Sequence, residues 1–217
     1  MSKLKFKICG VKSLEILDCC IVNNVDFFGL IFFKKSPRNI EIEDAQKLIF
    51  YSKNKSISSV GVFVNEPIIQ LQNLLKKLKL DYIQLHGNED KNYMSEIKKN
   101  NSIKIIKNIS VYSKEDLLKI ENYPNADFLL FDYKPSEKEL PGGNAKKFSW
   151  DLLKYIKTDQ PWFLSGGINI NNINEIKNYA IPYGIDISSG VEVSLGNKSI
   201  SKINSLFQFY DSKQKYI

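Results

Sequence analysis

The sequence predicts a (β/α)8 barrel, and three observations carry that reading. Eight short runs rich in apolar, β-branched and aromatic residues recur at intervals of roughly 20 to 35 residues, the length of a strand plus a returning helix. Stretches of helical period separate them. The last two runs end in small residues, Ser165-Gly166-Gly167 and Ser188-Ser189-Gly190. Paired turns of this kind after the last two strands are the phosphate signature of such a barrel, because a glycine lets backbone N–H groups approach an anion and a following short helix adds its positive end.

Taken in order, the strand runs are Leu4 to Cys9, Phe27 to Phe33, Ser58 to Val64, Tyr82 to His86, Ile103 to Ile109, Asp127 to Asp132, Trp162 to Ser165 and Gly184 to Ser188. Strands so nearly continuous in apolar residues need cover on both faces, which means a parallel sheet under helices. Leu14, Ile16, Leu17 and Ile21 form one helical stripe, and Ile69, Leu71, Leu74, Leu75 and Leu78 another. Ser113 with Asp116 predicts a cap for a helix over Leu117, Leu118 and Ile120, while Asn88-Glu89-Asp90 places acidic residues in another first turn. Lys134 to Lys147 contains Pro135, Pro141, Gly142 and Gly143 and lacks periodicity, so it is expected to be a mobile loop that closes over a substrate. No Ser/Pro-rich linker interrupts the chain, and 217 residues suit one barrel domain over 1–217, given the roughly 200 to 400 found for this fold. An open doubly wound sheet is the structural alternative.

With 43% hydrophobic residues and a mean hydropathy of −0.26, the composition is that of a globular chain. No run is long enough to span a bilayer, and Met1 to Gly10 shows no signal peptide, so a cytoplasmic location is expected. The net charge of +7 raises the question of nucleic acid. Its lysines are interleaved with Asp and Glu along helix faces instead of clustered, which argues for a solvated surface and against nucleic-acid or membrane partners. Cys9, Cys19 and Cys20 cannot all pair, and the adjacent two are poorly placed for a disulfide. One histidine and no CxxC leave no basis for a metal site.

The candidate chemistry lies at strand ends. Cys9 closes the first strand and is either a small buried hydrophobe or, beside Lys7 on the same side of the strand, a thiol able to act as a base. Asp132 closes the sixth and is either a cap to the next turn or a carboxyl of raised pKa able to donate a proton. Arg38 is the single arginine among 31 basic residues, and its planar fork binds a carboxylate as no lysine can. His86 serves a structural hydrogen bond or a substrate contact, and Asp186 orients a substrate hydroxyl or satisfies a buried lysine. Gly166, Gly167, Ser189 and Gly190 form the expected phosphate site.

Together Lys7-Ile8-Cys9-Gly10, Phe63-Val64-Asn65, Gln84-Leu85-His86-Gly87, Phe131-Asp132, Leu164-Ser165-Gly166-Gly167-Ile168 and Asp186 to Glu192 make the chain resemble the phosphoribosylanthranilate isomerases of tryptophan biosynthesis, from Leu4 to Glu192. The resemblance implies an Amadori rearrangement of a phosphorylated small molecule without a cofactor; a monomer or homodimer is expected. It further implies that Asp132 is the general acid, Cys9 the general base, and Arg38 the holder of the anthranilate carboxylate. One segment departs from the family pattern, with Gly142-Gly143-Asn144-Ala145 where a Gly-Gly-Thr-Gly is usual. Two other readings compete with it. A sister phosphosugar isomerase of histidine biosynthesis carries an aspartate where Cys9 stands, and a non-catalytic phosphate-binding module needs no acid-base pair.

Overall fold

The computed structural model describes residues 3–99, 101–136, 142 and 146–214. Its eight parallel strands close into a barrel in chain order. They are β1 (Lys5–Cys9), β2 (Phe27–Phe32), β3 (Ser58–Phe63), β4 (Tyr82–Leu85), β5 (Lys104–Val111), β6 (Phe128–Tyr133), β7 (Trp162–Leu164) and β8 (Gly184–Ile187). Closure is made by β1 against β8, with Lys7 opposite Asp186. Each observed strand falls on an expected run with ends shifted by no more than two residues, and the closed order removes the open-sheet alternative. Gly143, Asn144 and Ala145 of the unusual loop segment lie outside the described residues, as does most of the expected mobile loop.

The first four connections are α-helices: α1 (Leu14–Val22), α2 (Ile42–Ser52), α3 (Ile68–Lys77) and α4 (Lys91–Lys99). The next three, Lys114–Asn122, Trp150–Tyr155 and Ile173–Asn178, are 3-10 segments. After β8 comes a small hairpin, β9 (Glu192–Ser194) with β10 (Asn197–Lys198), then α5 (Ile200–Gln214) against α1.

Some expected helix features moved. Leu14 and Ile69, each on an expected helical stripe, are exposed, as is Leu118; Leu17, Leu71 and Leu75, and Leu117 and Ile120, are buried and seat those segments. The Ser113 turn is built as expected on Asp116, which accepts from the N–H groups of Ser113 and Tyr112. Ahead of α4, only Asp90 caps, accepting from the Tyr93 N–H at 2.8 Å. Glu89 turns inward, pairing at 3.0 Å with Lys107, and both side chains are buried. An unpaired buried ammonium there would be costly enough to decide where Glu89 points.

Inside the barrel, Phe27, Val60, Ile106, Phe128, Leu130 and Phe163 pack into a floor, joined at its edge by Tyr82 and Tyr183. These come from the N-terminal halves of their strands. Toward the C-terminal ends Gln84, Asp132 and Asp186 bring polar groups inward beside Ile31 and Val62, so one end is sealed and the other carries a pocket.

Candidate active site

A pocket opens at the C-terminal ends of the strands, where barrels of this kind place their sites. Cys9, Arg38, His86, Asp132 and Asp186 all line it. Period-two alternation delivers most of them: each of Lys7 and Cys9 on β1, Asp132 on β6 and Asp186 on β8 stands at an inward position near a strand end. A second lobe adjoins, sharing Asp132, Ser165, Asp186 and Ser188 and adding Gly166, Gly167 and Ser189. Four of the residues expected to meet phosphate are thereby split. Gly190 borders a separate hollow behind this lobe, with Gly167, Ser189 and Lys202.

Gly166 and Gly167 both hold φ in the left-handed region, at 94° and 65°. Gly190 does not, and its need for glycine is one of space, since a Cβ there would land on the carbonyl oxygen of Ile168. The expected helical support of the anion is slight. The turn after Ser188 spans only Ser189–Val191, and two asparagine side chains, Asn169 and Asn172, tie down the Gly167 carbonyl before the other segment begins.

Asp132 is buried, and that burial pushes its carboxyl up to about 7 despite a 2.8 Å hydrogen bond donated by the Tyr133 N–H. Ionising a carboxylate in such a place strips away its hydration, and one backbone donor offsets only part of the loss. His86 stands next to it, with Nε2 at 3.6 Å from Asp132 Oδ2. Burial, together with the ammonium groups of Lys107 and Lys7, pulls His86 down to about 3, so the ring is neutral. Gln84 donates to His86 Nδ1 at 2.8 Å, which leaves the ring proton on Nε2, directed at the carboxyl.

Cys9 lies among charges. Lys7, wholly buried, donates to Asp186 at 2.9 Å and sits beside the thiol. Burial acts to discharge Lys7, but Asp186 and Cys9 outweigh it and keep the ammonium charged. For Cys9 the balance goes the other way: burial raises the thiol above its ordinary 9.0, with Asp186 adding to it and Lys7 and Lys198 opposing. The helpful charge that Lys7 was expected to provide is thus present and insufficient alone. Asp186 satisfies a buried lysine, one of the two roles open to it.

Arg38 is buried at the pocket wall with its fork on Glu192: Nε and Nη2 each donate at 2.8 Å to a separate carboxylate oxygen. These bonds and nearby Lys198 bring Glu192 down to about 2 although its own burial opposes this. Sequence reasoning gave Glu192 and Lys198 no role. Glu192 stood inside a recognised motif, while Lys198 follows on a strand of two residues, too short to register any period.

Comparison with known proteins agrees with this geometry. The family model described as N-(5'-phosphoribosyl)anthranilate (PRA) isomerase matches residues 6–209. An N-(5'-phosphoribosyl)anthranilate isomerase of Rhizobium johnstonii is 39% identical over 96% of this chain and 93% of its own. The phosphoribosyl anthranilate isomerase of Thermus thermophilus superposes with a TM-score of 0.86 at 26% identity, covering 97% of this chain and all of the other. Another, solved in complex with reduced 1-(o-carboxyphenylamino)-1-deoxyribulose 5-phosphate, gives 0.81 at 27% identity with the same coverage. Matched along nearly its whole length by the family model and by such relatives, the chain belongs to the N-(5'-phosphoribosyl)anthranilate isomerase family.

Proposed function

We propose that the chain isomerises N-(5'-phosphoribosyl)anthranilate to 1-(2-carboxyphenylamino)-1-deoxyribulose 5-phosphate, with Asp132 as general acid and Cys9 as general base. Asp132 gives its proton to the ribose ring oxygen as the bond from that oxygen to C1' breaks, and the nitrogen lone pair forms the C=N of a Schiff base. Cys9 thiolate then removes the C2' proton, and those electrons make the C1'=C2' bond of an enolamine as the C=N electrons return to nitrogen. Tautomerisation gives the ketone. No electrons leave the molecule, so the chemistry calls for no redox cofactor.

The observation that carries this reading is a carboxyl with its pKa near neutrality sharing one pocket with a thiol flanked by lysines. An acid near 7 donates and recovers a proton at low cost around neutral pH. The neutral His86 stands beside that carboxyl, and Arg38, anchored on Glu192 at the pocket wall, takes the anthranilate carboxylate. The glycine lobe takes the phosphate, and the net charge of +7 favours approach of a dianionic ligand.

Two measurements test it. Expression in a tryptophan auxotroph lacking this isomerase restores growth if the reading is right. Cys9→Ala and Asp132→Asn should each lower turnover by about 10² to 10⁴-fold while the circular dichroism spectrum is retained. A folded variant with near-wild-type turnover removes its residue from the mechanism.

A further inference from the structure

Outside the barrel, the hairpin of β9 and β10 brings one lysine in behind the pocket wall, next to Ser188, which lines it. A lysine normally keeps its ammonium in water, yet the Lys198 side chain is only 2% exposed. Burial on that scale demands partners, and Lys198 has two that lead in different directions. It pairs with Glu192, whose two oxygens hold the Arg38 fork, and Gly196 N–H donates to the same carboxylate at 3.1 Å. It also donates at 3.3 Å to Ser188 Oγ, which donates its own proton to the carbonyl of Cys9 at 3.0 Å. Ammonium to hydroxyl to carbonyl is a one-way chain in which the hydroxyl both accepts and donates.

We propose that Lys198 is a positioning residue of the pocket, fixing the guanidinium plane of Arg38 through Glu192 and the strand end bearing Cys9 through Ser188. The proposal rests on the acid-base reading above and deepens it, giving the hairpin a task beyond the barrel. Charge agrees with geometry: although burial lowers its own pKa, Lys198 is one of two ammonium groups that favour the Cys9 thiolate. A lysine that merely braced the hairpin would leave Cys9 indifferent to its removal.

The test is alkylation of Cys9 by iodoacetamide in the substrate-free protein, followed on the Cys9 peptide by mass spectrometry across pH, alongside KM and kcat. The charged groups facing Cys9 are Lys7, Asp186 and Lys198, with Arg38, His86 and Asp132 around the same pocket. Lys198→Met should move the alkylation profile up by about one pH unit, slowing the reaction about tenfold at a fixed pH below its midpoint. KM should rise about tenfold as Arg38 loses its fixed plane. Lys198→Arg, keeping charge and donors, should restore most of both, and Lys198→Gln reads the same change in a less disruptive form should Lys198→Met fail to fold. An unmoved alkylation profile overturns the Cys9 branch, and an unmoved KM overturns the Arg38 branch. A wild-type chain without isomerase activity would sink the assigned reaction instead, with the alkylation result still deciding the role of Lys198.

Discussion

With Asp132 titrating at about 7 and Cys9 above 9.0, the productive pair, protonated acid with ionised thiol, is the minority arrangement of its protons. At pH 8 each group is in its working form in at most about one molecule in ten, so at most about one in a hundred carries both. As pH rises to about 7, the ionised thiol grows tenfold per unit while Asp132 stays protonated. Above that, loss of the Asp132 proton cancels the gain, giving a plateau that falls away only past the Cys9 value. Log kcat/KM should therefore rise with unit slope, bend flat near pH 7 and decline only above 9. The lower bend belongs to the acid. Initial rates with wild type and Asp132→Asn between about pH 5 and 10 test this. The variant, though slower, should lose the lower bend and keep rising until the thiol is ionised. A bend near 7 that survives in Asp132→Asn would refute the assignment, since another group would then be titrating.

Burial has a stability consequence for the same residue. The folded state binds the Asp132 proton more tightly than the unfolded chain, so this group's stabilisation is complete below the ordinary 3.8 and is lost as pH rises through about 7. The loss amounts to about 4 kcal/mol, so Asp132→Asn should melt higher than wild type at pH 8 and show little gain at pH 4; equal melting at both would refute the raised pKa. Arg38→Lys should weaken binding of the substrate more than that of an analogue lacking the anthranilate carboxylate, and equal weakening would free Arg38 from the clamp role. Inorganic phosphate or sulfate should compete with substrate, and noncompetitive behaviour would put the anion elsewhere than in the glycine lobe. Gly190→Ala should cost several kcal/mol or abolish folding, because its Cβ meets the Ile168 carbonyl; a variant as stable as wild type in urea unfolding would contradict the packing there.

Strand number, order and approximate ends could be read from the chain because a strand buried on both faces must be apolar along its length, and local composition records that. The same alternation placed Cys9, Asp132 and Asp186 at inward positions near strand ends, since side-chain direction on a strand follows from residue parity alone. What the sequence could not provide was partnership across the barrel. Whether Asp186 would meet substrate or Lys7 depended on the closing register of β1 against β8, and whether Glu89 would serve a helix or Lys107 depended on burial. The link from Lys198 to both Arg38 and Cys9 joins residues up to 189 positions apart through a short hairpin. The pKa values belong to this second class as well. Residue type fixes the ordinary value, but desolvation and facing charges set the shift, and both exist only once the barrel has closed around the side chain.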